Sequence, residues 1–181
     1  MSRQMYGAAG RMALSGMLSA LIVAVLYFAG ISEVASLSVL AVAGVILCVC
    51  VYECGMKFAV SAYAATSFLS FIVCADKVTA GMYVICFGLY SVLKSLAETH
   101  IRCRVLEWTV KLLFFNLSLV LMLLGARFLL LDIGILKDLP GWAWALGWAV
   151  LNGAFLIYDV ALTRLMTFYI FRLRQKLFRK S

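Results

Sequence analysis

Long apolar stretches alternate with short polar connections along this chain. Six stretches are apolar and long enough to form helices that cross a bilayer, at residues 12–31, 35–52, 57–74, 78–96, 108–131 and 142–169. A transmembrane helix needs about 20 mostly apolar residues to cross a hydrocarbon core roughly 30 Å thick. The pattern therefore predicts an all-α fold: a polytopic membrane protein whose residues 1–181 form a single integral membrane domain, a bundle of six transmembrane helices.

Stretches 2 and 3 are separated only by Tyr52–Lys57. A tight turn at Gly55 would make them a helical hairpin, because glycine accepts turn conformations that other residues avoid. The alternative is one broken element, which would reduce the number of crossings.

The direction of the last helix can be read from its two ends. Trp142, Trp144 and Trp148 lie at its start, and the basic tail Phe171–Ser181 follows its end. Tryptophan is enriched at membrane interfaces, and cytoplasmic segments carry an excess of lysine and arginine. With both termini in the cytoplasm, 13 basic residues lie on the inner side and 3 on the outer side. This asymmetry predicts cytoplasmic termini.

The composition supports a membrane location. The chain is 66% hydrophobic and its mean hydropathy is +1.07, whereas soluble domains are about 45–50% apolar. The net charge of +8 is explained by basic residues on the cytoplasmic side, so no nucleic-acid partner is expected. The first stretch is too long for the apolar core of a signal peptide and is expected to remain as helix 1.

Motifs for catalysis are missing from the sequence. It has no Gly-rich phosphate loop, HExxH, GxSxG or paired Cys/His spacing, each of which would indicate a particular chemistry. We therefore expect no enzyme activity, catalytic residue, metal or cofactor. The six cysteines are interpreted as packing residues, because unpaired cysteine is among the most buried residue types.

Small residues recur along helix 1. Gly16, Ala20 and Ala24 occupy every fourth position, which places them on one face of a helix. Small side chains allow the close backbone approach that holds helices together in lipid. The face is therefore either a docking surface for another membrane subunit or an internal packing surface.

The last three helices carry larger and more polar faces. These faces comprise Tyr83, Phe87, Tyr90 and Lys94; Asn116, Val120, Leu123 and Arg127; and Trp144, Trp148, Asn152, Phe155 and Asp159. Converging faces would enclose a pocket with aromatic walls and a few polar groups, as in many small-molecule sites. Aromatic belts with a few interhelical hydrogen bonds are the alternative.

Depth separates the polar residues into two clusters. Lys94, Lys111 and Asp159 lie toward the cytoplasm and are predicted to form an internal charge clasp, because an unpaired charge in the membrane is costly. The outer cluster is the better candidate for ligand binding, and it comprises Tyr83, Arg127, Trp144, Trp148 and, near the middle of the membrane, Asn152.

The chain resembles the substrate-binding membrane subunit, or S component, of energy-coupling-factor (ECF) vitamin transporters. The resemblance lies in six spans with inner termini, a length under 200 residues, the stripe Gly16-x3-Ala20-x3-Ala24 and an aromatic, polar second half. It implies a bacterial plasma-membrane protein that binds a vitamin or similar micronutrient from outside.

The resemblance also implies partners. Helices 1–3 would dock through the stripe on a coupling membrane subunit, and cytoplasmic ATPases on other chains would supply energy. By position and chemistry alone, Arg127 could bind a carboxylate or phosphate, and Tyr83, Trp144 and Trp148 could stack on a heterocycle.

Two other functions remain open at this point. The protein could be a structural or interaction subunit without a transport ligand, whose basic tail binds anionic lipid or a cytoplasmic partner. It could also be a proton-coupled carrier that acts alone through Asp159, because a carboxylate within a membrane helix often belongs to a proton pathway.

Overall fold

The structure is a computed structural model that describes residues 7–31, 36–74, 76–100, 104–128 and 141–173. Within these ranges the chain is helical, with α1 (Ala8–Ile31), α2 (Ser36–Cys54), α3 (Met56–Val73), α4 (Lys77–Met82), α5 (Leu89–His100), α6 (Arg104–Phe128) and α7 (Gly141–Phe168). A π-helical segment, Tyr83–Gly88, joins α4 to α5, and a second one, Tyr169–Leu173, follows α7.

Six of these helical segments are long and apolar enough to span a membrane, with α4, the first π-helical segment and α5 together forming the fourth. The predicted all-α fold with six spans is therefore confirmed. The cytoplasmic location of both termini stays a prediction.

The three N-terminal helices pack around a shared hydrophobic core. Ile22 and Leu26 of α1 and Leu40 and Leu47 of α2 are fully buried. Ala59 and Ala62 bring a small-residue face of α3 to the same core. Small residues suit this position because they let helix backbones approach closely.

The α2–α3 hairpin turns at Gly55, as the sequence predicted. Gly55 has a φ of 92°, a conformation that side chains with a Cβ rarely adopt. The Gly55 amide still donates to the Val51 carbonyl, and the Ala59 amide donates to the Gly55 carbonyl. The two helices therefore remain separate elements joined by one residue.

The fourth span begins with a well-formed cap and is interrupted by its π-helical segment. The Asp76 carboxylate accepts hydrogen bonds from the Val78 and Thr79 amides and from the Thr79 hydroxyl. Partial burial raises the pKa of Asp76, but these hydrogen bonds outweigh it, so the net pKa lies below its usual value. A carboxylate at this position satisfies helix amides that otherwise lack partners.

Hydroxyl groups attach the fourth span to three other helices. Tyr63 of α3 donates to the Val84 carbonyl at 2.9 Å, and Ser118 of α6 donates to the Ile85 carbonyl at 3.5 Å. Ser91, at the start of α5, donates to the Gly44 carbonyl of α2 at 3.0 Å. Irregular turns free backbone carbonyls, and neighbouring hydroxyls can satisfy them inside a membrane.

The cysteines of α2 and the one that follows α3 lie in the protein interior. Cys48, Cys50, Cys54 and Cys74 are buried. Burial agrees with the interpretation of these four as packing residues. Cys86 is partly buried, and Cys103 lies outside the described residues.

Backbone contacts divide the chain into two compact units, Met1–Met122 and Leu123–Ser181. The second unit contains α7, and the predicted stripe along this helix is its less exposed side. Phe155 and Asp159 are buried, whereas Ile157 on another side is 74% exposed.

Candidate ligand cavity

A cavity of about 360 Å³ lies in the first unit, between α5 and the N-terminal half of α6. Small-molecule sites usually measure about 300–1,000 Å³, so its size is within that range. Its walls are formed by Tyr90, Leu93, Lys94, Leu96, Ala97, Val110, Lys111 and Phe114.

Helical spacing brings each set of lining residues to one face. Tyr90, Lys94 and Ala97 follow a spacing of 4 and 3 residues on α5. Lys111 and Phe114 lie 3 residues apart on α6. Residues three or four apart share a helix face, so two apolar faces, each with one lysine, meet at the cavity.

The two lysines are almost completely buried. Lys94 is 4% exposed and Lys111 is 5% exposed. The Lys111 ammonium donates to the Glu107 carboxylate one turn earlier on α6. Buried charges need polar partners, and this pair keeps one cation in position beside the apolar walls.

The structure describes the positions of all three residues of the predicted charge clasp, and it describes one ion pair at this place. Lys94 and Lys111 both line the cavity, and Lys111 pairs with Glu107 of its own helix. Asp159 is buried and belongs to the second unit. Its pairing with either lysine stays a prediction.

None of the predicted outer ligand residues that the structure describes is among the lining residues of this cavity. Tyr83 is fully buried, and its hydroxyl shares a 2.8 Å hydrogen bond with the Thr66 hydroxyl of α3. That hydroxyl therefore contributes to helix packing. Tyr83 is absent from the cavity wall.

The other four outer residues belong to the second unit. Trp144 is 39% exposed, and Trp148 is half-buried. Asn152 donates its amide to the Trp148 carbonyl at 2.9 Å. The Arg127 side chain lies outside the described part of the structure. A ligand role for these four residues stays a prediction.

The small-residue stripe of α1 has an unambiguous orientation. Gly16, Ala20 and Ala24 are all exposed, and a Cβ added to Gly16 would meet nothing within 4 Å. The helix packs on its neighbours through Ile22 and Leu26 instead. Among the described residues, α1 therefore does not pack through the stripe, and the role of the stripe as a docking surface stays a prediction.

Sequence reasoning noticed both lysines of the cavity but not its walls. Leu93, Leu96, Ala97, Val110 and Phe114 are ordinary apolar residues in a chain full of them. The available signal was the shared spacing of Tyr90, Lys94 and Ala97 on one helix and of Glu107, Lys111 and Phe114 on the next.

No protein-family model, curated protein or solved structure matches this chain.

Proposed function

We propose that this protein is a membrane-embedded, non-enzymatic binding subunit for a small molecule, and that the α5–α6 cavity is its binding site. The observation that carries the proposal is the cavity itself, whose apolar walls hold two buried lysines. Few polar groups in a mostly apolar concavity are typical of small-molecule sites.

A role as the S component of an ECF-type importer in a bacterial plasma membrane is the specific form of this proposal. Its support is the exposed stripe of Gly16, Ala20 and Ala24 on α1. Such a face allows close helix packing without hydrophobic drive. A coupling membrane subunit would dock here, with ATPases on other chains.

The location of the cavity changes the expected direction of binding. The predicted topology places the connection between α5 and α6 in the cytoplasm, so the cavity would lie in the inner half of the membrane. The outer cluster of Arg127, Trp144, Trp148 and Asn152 is then a competing site for a ligand that arrives from outside.

Native mass spectrometry of protein extracted gently from its own membranes tests the proposal. We expect wild-type protein to carry a bound small molecule. Ala97→Leu should lose it, because Ala97 lines the cavity and a larger side chain would fill the space. Ala65→Leu is the matched control, because Ala65 is exposed on α3.

The other outcomes are equally informative. Retention of the molecule by Ala97→Leu would exclude the cavity, and its loss from Trp148→Ala alone would place the site in the outer cluster. Wild-type protein that carries lipid only would favour the structural function. Transport by the isolated chain that stops in Asp159→Asn would favour the carrier.

A further inference from the structure

We infer that the ligand of the α5–α6 cavity is an uncharged aromatic molecule that enters from the lipid bilayer. This inference rests on the proposed function of the cavity as a binding site, and it names the chemical class of the molecule. The ring of the ligand lies against the two aromatic side chains of the wall, which are Tyr90 on α5 and Phe114 on α6.

The surface of the cavity is almost entirely apolar. Leucine, alanine, valine and aromatic side chains form most of it. Lys94 and Lys111 also line it, and a lysine side chain carries a long methylene stem before its ammonium group. Because the surface is so apolar, these two residues contribute to the wall mainly through their stems. The wall therefore matches a ligand without polar groups.

The charged residues of the wall already have partners within the protein. The Lys111 ammonium donates to the Glu107 carboxylate, and Lys94 also interacts within the protein. A charged ligand would bury its charge against apolar walls without a free counter-charge, which is costly. An anion at Lys111 would also lie near the Glu107 carboxylate, and like charges repel. An uncharged ligand avoids both costs.

The ligand must displace the acyl chains of the surrounding lipids. Leu96 is 37% exposed and Val110 is 39% exposed, although both line the cavity, so the cavity is accessible from the bilayer. Lipid tails are as apolar as leucine, and burial of apolar area alone therefore gives no preference over them. A rigid ring loses less conformational entropy on binding than a flexible chain. Rigidity thus favours a ring system over a lipid tail.

Two aromatic side chains give the cavity a preference among rigid molecules. One ring comes from each helix, and Tyr90 is only 1% exposed. Aromatic pairs are more favourable than their buried area alone predicts, and apolar cavities in proteins exclude water and bind benzene. The volume of about 360 Å³ is near the lower end of the usual range for ligand sites. A small aromatic ring system fits these walls best.

The test is binding of radiolabelled methyl 2-naphthoate to the full chain in nanodiscs of a zwitterionic phospholipid, after subtraction of binding to empty nanodiscs. We expect saturable binding. Competitors are compared at equal concentrations in the bilayer. The anion 2-naphthoate and the cation 2-naphthylmethylammonium should each compete at least about ten-fold less well than the unlabelled ester, which corresponds to about 1.4 kcal/mol.

A flexible ester distinguishes an aromatic ligand from a lipid tail. Methyl undecanoate has the same ester group and the same number of carbon atoms as methyl 2-naphthoate, but it carries a flexible chain. Because the chain loses more conformational entropy and makes no aromatic pair, we expect it to compete at least about ten-fold less well.

Variants connect this binding to the cavity. Phe114→Leu removes one ring and keeps an apolar side chain, so it should weaken binding of methyl 2-naphthoate at least about three-fold and narrow its advantage over methyl undecanoate. Phe68→Leu is the matched control, because Phe68 is 71% exposed on α3. Ala97→Leu should abolish saturable binding, because Ala97 lines the cavity. The unfolding midpoint of each variant shows that it is folded.

Two results would overturn the inference and leave the proposed function standing. One is competition by either ion or by methyl undecanoate as strong as that by the aromatic ester. The other is a charged or non-aromatic molecule found on native wild-type protein and absent from Ala97→Leu, whereas an uncharged aromatic molecule found there would support the inference. If methyl 2-naphthoate does not bind and native protein carries no molecule, both proposals fail.

Discussion

The two parts of the fourth span differ sharply in how they are held. Residues 83–91 receive hydroxyl hydrogen bonds from α3 and α6 and donate one to α2. Residues 93–97 face α6 across a cavity. Lipid is as apolar as the helix surfaces, so burial of leucine does not by itself hold membrane helices together. Close packing and hydrogen bonds do so, and the α5–α6 cavity opens where those contacts end.

Residues 83–91 are the closely packed part of the fourth span, and a substitution of Gly88 tests that packing most strongly. A Cβ at this position would lie 2.7 Å from the Cε2 atom of the Tyr63 ring, and that ring is held by its hydrogen bond to Val84. We expect Gly88→Ala to lower the free energy of unfolding by about 1–3 kcal/mol through overpacking. Denaturation of the purified variant and wild-type proteins in detergent measures this difference in the free energy of unfolding.

Gly81→Ala is the matched control in the same span. A Cβ there meets nothing within 4 Å, and alanine is the better helix former by about 1 kcal/mol. This variant should be neutral or slightly more stable. Equal destabilisation by both variants would contradict the close approach at Gly88.

Removal of the cap at the start of the fourth span should cause the next largest loss of stability. Asp76→Ala should lower stability by about 1 kcal/mol, because it removes a side-chain acceptor from the Val78 and Thr79 amides. Asp76→Asn should retain most of the stability, because asparagine is an equally good cap. Unfolding midpoints at neutral pH would distinguish them.

The Asp76 cap also predicts a pH dependence. Its folded pKa is lowered, with burial opposing and hydrogen bonds causing the net shift. The stabilisation is therefore fully present above the ordinary aspartate pKa of about 3.9 and is lost as pH falls through the lower folded value. A wild-type-minus-Asp76→Asn stability difference that stays flat between pH 6 and pH 3 would contradict this assignment.

Removal of a single hydroxyl group from residues 83–91 should have a smaller effect on stability. Tyr83→Phe removes the hydrogen bond to Thr66, and side-chain hydrogen bonds between membrane helices contribute about 0.6 kcal/mol on average. We expect a stability loss of that order, with ligand binding unchanged. Impaired ligand binding by a stable Tyr83→Phe would instead support the outer site.

The smallest expected effect on stability is at the exposed stripe. Gly16→Leu should leave the unfolding midpoint of the isolated chain unchanged, because open space surrounds Gly16. It should reduce co-purification of membrane partners from native membranes, whereas Ala65→Leu should not. A clear loss of stability in isolation would show that the stripe packs inside the protein.

The fold was largely predictable because its main signals are local. Apolar length defined the six spans, and Gly55 marked the hairpin because only its backbone accepts a φ of 92°. The π-helical segment at Tyr83–Gly88 was not predicted, because it depends on hydroxyl partners from α3 and α6 that are distant in sequence.

The site was less predictable for a related reason. Lys94 and Lys111 stood out as charges in apolar helices. The cavity walls did not, because the separation of α5 and α6 is a tertiary property. The orientation of Gly16, Ala20 and Ala24 was likewise undecided until the helix face that packs through Ile22 and Leu26 was known.

The most direct test of the central claim is native mass spectrometry of wild-type protein, Ala97→Leu and Ala65→Leu, each extracted gently from its own membranes. The α5–α6 cavity as binding site predicts a bound small molecule on wild-type protein and on Ala65→Leu that is absent from Ala97→Leu, because Ala97 lines the cavity. Retention of the molecule by Ala97→Leu together with its loss from Trp148→Ala would contradict it.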